Sequence, residues 1–304
     1  MKLGFVSAIL DNSSFEEVID TAASMGYECV EVACWPVEKA SRRYAGVTHI
    51  HIEELDDAKI GHINDYCRQK NVAISALAYY PNALTDDPAA QDKIVKHLIA
   101  MIKTAPKLGV DTVTTFIGRA QHRTIEENLE LFQEIWKPIL KVAEEQKVRI
   151  AVENCPMLFD AGQWPGGQNL MTTPAIWRKV FSLLPSDYLG LNYDPSHFIW
   201  QQMDYIAPLY EFKEKIFHVH YKDIKVYPDR LRDVGIMAYP LQYMSPKLPG
   251  LGDVDWGKYV SALNDIGYNG YSCIEIEDKA FESTPERVLD SLRLSYQYMR
   301  QFVI

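Results

Sequence analysis

Two short apolar runs in the second half of the chain each end in side chains that can hold a cation or move a proton. The first reads Gly190-Leu-Asn-Tyr-Asp194-Pro-Ser-His197 and the second Phe217-His218-Val-His220-Tyr-Lys222-Asp223. Two further runs end the same way, upstream in Glu153-Asn154 and downstream in Glu275-Ile-Glu277. Taken singly, each residue has a structural explanation. Asp194 before Pro195 suits a helix cap with proline in the first turn. His218 and His220, at alternate positions of a strand, suit buried imidazoles facing one side. Taken together they are harder to explain, because acids that converge without a cation repel one another and are driven to protonate. A divalent metal resolves the repulsion. Three carboxylates and one imidazole, Glu153, Asp194, Glu275 and His220, make an oxygen-rich set that suits Mn²⁺ first or Mg²⁺, with Zn²⁺ or Co²⁺ admitted by the histidine. His218, Asp223 and Glu277 are then expected to orient ligands or touch substrate.

Convergence needs a scaffold, and the chain supplies a regular one. Apolar runs at Leu3 to Ala8, Cys29 to Cys34, Val72 to Tyr79, Thr112 to Ile117, Val148 to Val152, Tyr188 to Tyr193, Ile216 to Tyr221 and Tyr271 to Ile276 alternate with helical patterns. The helices are expected after Ser13 or Ser14 up to Gly26, over Glu53 to Lys70, Pro88 to Leu108, Thr124 to Gln146, Thr173 to Leu183, Trp256 to Ile266 and Thr284 to Met299, with a poorly patterned segment from Ile206 to Phe212. Caps, terminal glycines and the 3.6 period carry these assignments. Eight strand-then-helix units with no dividing linker predict one α/β domain over 1–304, a (β/α)8 TIM barrel. A doubly wound open sheet is the alternative, but no G-x-G-x-x-G follows the first strand. The connections after the fifth and seventh strands, Cys155 to Thr172 and Ile224 to Val254, are extended, and long loops at that end of a barrel form lids.

Composition narrows the partners. The chain has 304 residues, is 47% hydrophobic and carries a formal charge of -10. That field opposes a polyanion, so nucleic acid is not expected. The five cysteines are scattered and suggest thiols in a reducing compartment. The first residues enter a strand pattern at once and no long apolar run occurs, so a cytoplasmic protein without a membrane span is expected. A homo-oligomer is left open.

The runs quoted above, with Pro249-Gly-Leu-Gly-Asp-Val-Asp255-Trp256, resemble the xylose-isomerase-like sugar isomerase/epimerase superfamily, in the family's order and across essentially the whole chain. The resemblance implies a metal held by Glu153, Asp194, His220 and Glu275, and a substrate oxygen touched by His197. It also implies, for the ketose 3-epimerases of the group, an arginine on the loop after the seventh strand. Here that loop begins Ile224-Lys225-Val226-Tyr227, with Arg230 and Arg232 further on.

A metal that binds a carbonyl and a neighbouring hydroxyl acidifies the adjacent C–H and stabilises an enediolate. Glu153 and Glu275 are the expected catalytic pair, one removing a proton and the other returning it. The expected reading is a metal-dependent isomerase or epimerase acting on a small carbohydrate. A dehydratase or lyase on a keto-inositol, a dehydroshikimate-like compound or a keto-glycoside is the alternative, with Lys222, His197 and Asp223 as acids. A metal-dependent apurinic endonuclease and a carbohydrate-binding barrel without catalysis are the more distant readings. Substrate contacts are expected from His197, His218, Lys222, Asp223, Trp35 and Arg119, with Pro36, Tyr79, Tyr80, Phe116, Trp164 and Trp200 around them, since aromatic faces suit a sugar's C–H surface. No phosphate-cradling glycine loop is evident, which favours an unphosphorylated sugar.

Overall fold

The computed structural model describes residues 1–36, 45–158 and 161–303. Eight strands close into a parallel barrel: β1 (Lys2–Val6), β2 (Cys29–Ala33), β3 (Ala73–Ala78), β4 (Thr112–Thr115), β5 (Arg149–Glu153), β6 (Leu189–Tyr193), β7 (Ile216–Tyr221) and, after a two-stranded excursion formed by β8 (Asp223–Val226) and β9 (Met244–Lys247), β10 (Tyr271–Ile274). The order around the barrel is β1-β10-β7-β6-β5-β4-β3-β2, so β10 is the eighth barrel strand and pairs with the first. Parallel strands covered on both faces read as near-continuous apolar runs. β2 and β6 are buried at every position.

Two pairings are irregular. The register between β2 and β3 shifts between Val30 and Glu31, and that between β6 and β7 shifts between Leu191 and Asn192.

The outer layer consists of α1 (Phe15–Met25), α2 (Asp57–Lys70), α3 (Pro88–Thr104), α4 (Ile125–Gln146), α5 (Pro174–Leu183), the short α6 (Ser196–Trp200), α7 (Ala207–Glu211) and α8 (Pro228–Val234), then α9 (Trp256–Asp265) and α10 (Pro285–Met299). Side chains set their starts. Ser14 with Glu17, and Thr124 with Glu127, form reciprocal capping boxes. Asp87, Thr173 and Thr284 each cap a helix whose first residue is proline, where the missing N–H costs nothing. α1 stops at Gly26, whose φ of 89° is open to glycine and which lies against Tyr296.

The eight expected units are present. The segment expected to be poorly patterned contains the one-turn α7, and the Ile224 to Val254 loop is not structureless, since it holds β8, β9 and α8. β9 carries Pro246, which lowers a strand assignment from sequence and is tolerated at an edge. All five cysteines are free thiols, with Cys67 and Cys155 only half-buried. Among the described residues, no helix is long and apolar enough to cross a membrane.

Candidate metal centre and active site

β5, β6, β7 and β10 are neighbours, and their C-terminal ends deliver the acids and imidazoles to one point. Ligand atoms of Glu153, Asp194, His220 and Glu275 all lie within 4.8 Å of one another. His220 Nδ1 is 3.6 Å from Glu153 Oε1 and 3.4 Å from Glu275 Oε2.

Asp194 divides its two oxygens between the turn and the site. Its Oδ1 accepts from the backbone N–H of Ser196 at 2.8 Å, while Oδ2 turns to the site. Asn154, at the end of β5, locks this turn by accepting from Asp194 N–H and donating to Asp194 C=O. The Glu-Asn pair at the end of the fifth strand thus supplies one site carboxylate and the clamp for a second.

Lys222, 3% exposed along its side chain, extends its ammonium into the same cluster, 2.6 Å from Glu275 Oε2, 3.0 Å from Asp194 Oδ2, 3.5 Å from Glu277 Oε2 and 3.6 Å from Glu153 Oε1. These groups divide the two glutamates. Burial alone would raise the Glu153 carboxyl, but Lys222, His197 and His220 outweigh it and hold it well below the usual carboxylate range. Glu275 shifts upward, because burial raises it, Lys222 offsets only part, and Glu153 and Glu277 push it further. Burial acts against Asp194 too, yet Lys222 and His197 bring it down to about 2. Paired carboxyls whose environments separate their proton affinities are the pattern of an acid and a base.

The two imidazoles of the site differ in kind. Trp200 Nε1–H, which can only donate, approaches His197 Nδ1 at 3.5 Å. The neutral ring of His197 therefore carries its proton on Nε2, 3.3 Å from Asp194 Oδ2 and 3.5 Å from Glu153 Oε1. His197 presents a donor. His220 turns its Nε2 away, to 2.7 Å from Glu31 Oε2, and presents Nδ1 to the cluster. Once neutral with its proton on Nε2, His220 presents a lone pair to the cluster.

Glu153 Oε1, Asp194 Oδ2, His220 Nδ1 and His197 Nε2 are all buried and make no hydrogen bond. Their neighbours are opposite charges at ion-pair distance, with Lys222 Nζ 3.0 Å from Asp194 Oδ2 and 3.6 Å from Glu153 Oε1. Oxygen donors with one imidazole lone pair fit a divalent cation of the Mn²⁺ or Mg²⁺ type.

Above the cluster lies a cavity of about 1120 Å³, lined by Glu153, Cys155, His197, Lys222, Glu275 and Glu277, with Trp35, Pro36, Tyr79, Tyr80, Phe116 and Trp200 as its aromatic and apolar walls. Three expected substrate contacts are placed elsewhere. Asp223 is fully buried and accepts from the backbone N–H groups of Ile224, Gly250 and Val254 and from Trp256 Nε1. It holds the loop, because a carboxylate next to three loop amides and an indole finds its donors there. His218 lies deeper in the barrel, with Nδ1 3.0 Å from Asn192 Oδ1 and Nε2 3.1 Å from Ser75 Oγ. Arg119 is outside the cavity lining and donates to Gly166 C=O at 2.6 Å. Trp164, also outside the lining, donates from its indole to Met237 C=O and joins the two long loops.

Sequence reasoning missed Glu31. Its signal was an acid in the otherwise apolar run Cys29-Val-Glu-Val-Ala-Cys34, and buried carboxylates are rare unless partnered.

The chain matches the xylose isomerase-like TIM barrel family over residues 19–298. An inosose isomerase of Bacillus velezensis is 23% identical, covering 91% of this chain and 88% of its own. An inosose dehydratase of Lactiplantibacillus plantarum is 27% identical over 38% of each chain. Among solved structures, a D-psicose 3-epimerase from Clostridium cellulolyticum H10, determined with D-tagatose, superposes with a TM-score of 0.73 at 15% identity, covering 100% of this chain and 99% of its own. The IolI protein, determined with a zinc atom, superposes with a TM-score of 0.72 at 19% identity, covering 99% of each chain. At these identities the structural likeness shows the fold. With the match running through all four strands that carry the acidic cluster, the chain belongs to the xylose isomerase-like TIM barrel family.

Proposed function

We propose that this protein is a divalent-metal-dependent sugar isomerase or epimerase that moves a proton between Glu153, Glu275 and a keto-sugar. The observation that carries the reading is the convergence of three carboxylates and one imidazole, with ligand atoms of Glu153, Asp194, His220 and Glu275 all within 4.8 Å of one another beside the cavity. The family, and relatives that include an inosose isomerase and a psicose epimerase, support the isomerase class.

Glu153, Asp194, His220 and Glu275 would hold the metal, with Mn²⁺ the ion best suited to their donors. Bound there, it would supply Lewis acidity to a carbonyl and its neighbouring hydroxyl. Glu153 acts as the base that takes the α-proton, and Glu275, the better proton carrier, returns one to the enediolate. His197 donates Nε2–H to a substrate oxygen. Lys222, between Glu275 and Glu277, faces the cavity and stabilises negative charge developing on the substrate. Trp35, Tyr80 and Phe116 wall off water and offer apolar faces to the sugar. The cavity has room for a sugar bearing a substituent, so keto-glycosides stand beside simple ketoses and keto-inositols as substrates.

Dehydration of a keto-inositol or related keto-sugar is the second reading. The observation favouring it is the ammonium of Lys222 beside Glu275, an acid placed to protonate a departing hydroxyl, and one of the relatives is an inosose dehydratase.

The test is a proton-exchange screen in D₂O with added Mn²⁺ across ketoses, keto-inositols and keto-glycosides, followed by NMR. Metal-dependent exchange at the carbon next to a carbonyl, with an isomer or epimer as product, supports the proposal. Loss of water with no isomer supports the second reading, and no exchange with any class rejects both.

A further inference from the structure

Glu31 touches neither the cavity nor the proposed proton transfers, yet it is fully buried at the centre of β2. Its Oε1 accepts the hydroxyl protons of Tyr80 and of Thr114, the latter at 2.8 Å. Its Oε2 lies 2.7 Å from His220 Nε2 and 3.6 Å from His218 Nδ1. Both irregular pairings of the barrel fall on this network, one beside Glu31 and the other beside Asn192, as expected where a bulge re-aims a side chain.

Glu31, His218 and His220 are close enough to suggest a second metal set. The hydrogen bonds argue against it. His218 Nδ1 gives its proton to the carbonyl oxygen of Asn192, and His220 Nε2 gives its proton to Glu31, so both nitrogens that face the carboxylate are protonated.

An ionised carboxylate only accepts. At 2.7 Å, Glu31 keeps the proton of neutral His220 on Nε2 and leaves the Nδ1 lone pair directed at the acidic cluster. Asn192 Nδ2 lies 2.9 Å from the same His220 nitrogen and favours the opposite tautomer. Glu31 is nearer and charged, and charge-assisted bonds are roughly twice as strong as neutral ones.

We propose that Glu31 is a positioning residue for His220, fixing the ring's orientation and tautomer so that Nδ1 is available as a metal ligand. The inference rests on the reading of Glu153, Asp194, His220 and Glu275 as a metal centre. Glu31 acts as an acceptor on both oxygens, with Oε1 taking the hydroxyl protons of Tyr80 and Thr114 and Oε2 facing the two ring nitrogens.

Glu31→Gln tests the inference with little change of shape. The two hydroxyls of Tyr80 and Thr114 hold the amide oxygen where Oε1 was, which turns the amide NH₂ toward His220. His220 Nε2 then faces two donors, the introduced amide and that of Asn192, and must accept, moving its proton to Nδ1.

Mn²⁺ affinity of the metal-free variant, measured by titration calorimetry, is expected to fall on the order of 10–100-fold. NMR of isotope-labelled histidine ring nitrogens, recorded up the pH scale until the ring of His220 is neutral, is expected to show the proton on Nε2 in the wild type and on Nδ1 in the variant. Tyr80→Phe, which keeps the carboxylate, is expected to leave Mn²⁺ affinity close to wild type. Wild-type affinity in Glu31→Gln, or a wild-type His220 already protonated on Nδ1, overturns the inference while leaving the metal centre standing. A wild type that takes up no Mn²⁺ overturns the centre and the inference together.

Discussion

Lys222 places its ammonium 2.6 Å from Glu275 Oε2, inside the set of acids proposed to hold the metal. In the absence of a bound ion it is the principal positive charge among Glu153, Asp194, Glu275 and Glu277. Breaking a buried pair by removing one partner costs about 3–5 kcal/mol. Lys222→Met is expected to lower the stability of the metal-free protein by about that amount, and added Mn²⁺ is expected to restore more of it than it adds to the wild type. Denaturant melts with chelator and with Mn²⁺ check both. Equal metal-induced gains in the two proteins would show that Lys222 and the ion do not share these acids.

Glu275→Gln keeps the volume of the side chain and removes its capacity to carry the proton. Exchange of the substrate α-proton in D₂O is expected to fall by about 10²–10⁴-fold, the usual worth of a positioned acid or base. Circular dichroism is expected to be unchanged. Full exchange in the variant removes Glu275 from proton transfer.

His197→Ala deletes a donor rather than a ligand, since Trp200 occupies its Nδ1. The expected outcome is a rise in KM corresponding to about 1–3 kcal/mol, with metal content unchanged by elemental analysis. Loss of the metal together with affinity would instead make His197 a ligand.

His49 offers a pH test outside the site. Its ring is buried between Ser7 Oγ at Nδ1 and Leu10 C=O at Nε2. Burial lowers its pKa below the ordinary 6.5, against the pull of Leu10 C=O. The unfolded chain therefore binds this proton better than the folded one. The stabilisation is whole above the unfolded value and is lost as pH falls through it toward the lower folded value. Thermal melts from pH 8 down to pH 5 are expected to show a steeper decline for the wild type than for His49→Gln. Parallel declines would sink the assignment.

The barrel was legible because parallel strands buried on both faces leave unbroken apolar runs, and because Ser14, Thr124 and Thr173 mark helix starts in a local code. The convergence of Glu153, Asp194, His220 and Glu275 was legible for a related reason, since a barrel sends the ends of adjacent strands to one rim. What lay inside the barrel was not. Glu31 reaches His220 across 189 positions of sequence, and no local pattern reports a contact of that span. Asp223 was misplaced because a charged residue following His-x-Lys at a strand end looks the same whether it faces a substrate or a loop. Only the amides of Gly250 and Val254, far along the chain, decide it. The β8–β9 hairpin was hidden by its length, four residues in each strand, and by Pro246.

The grip of Asp223 on both ends of the excursion carries a consequence for changes made within it. One carboxylate binds the amide where the excursion leaves, at Ile224, and those where it returns, at Gly250 and Val254, so departure and re-entry are stapled at one place. Everything between them hangs from the barrel as a cartridge. Away from the staple it meets the rest of the molecule through Tyr243 and Met244 beside Trp200, through Met237 at Trp164, and through Lys247 at Asp278. A change there would leave the staple in place and alter the wall that Leu241, Met244 and Pro246 give to the cavity.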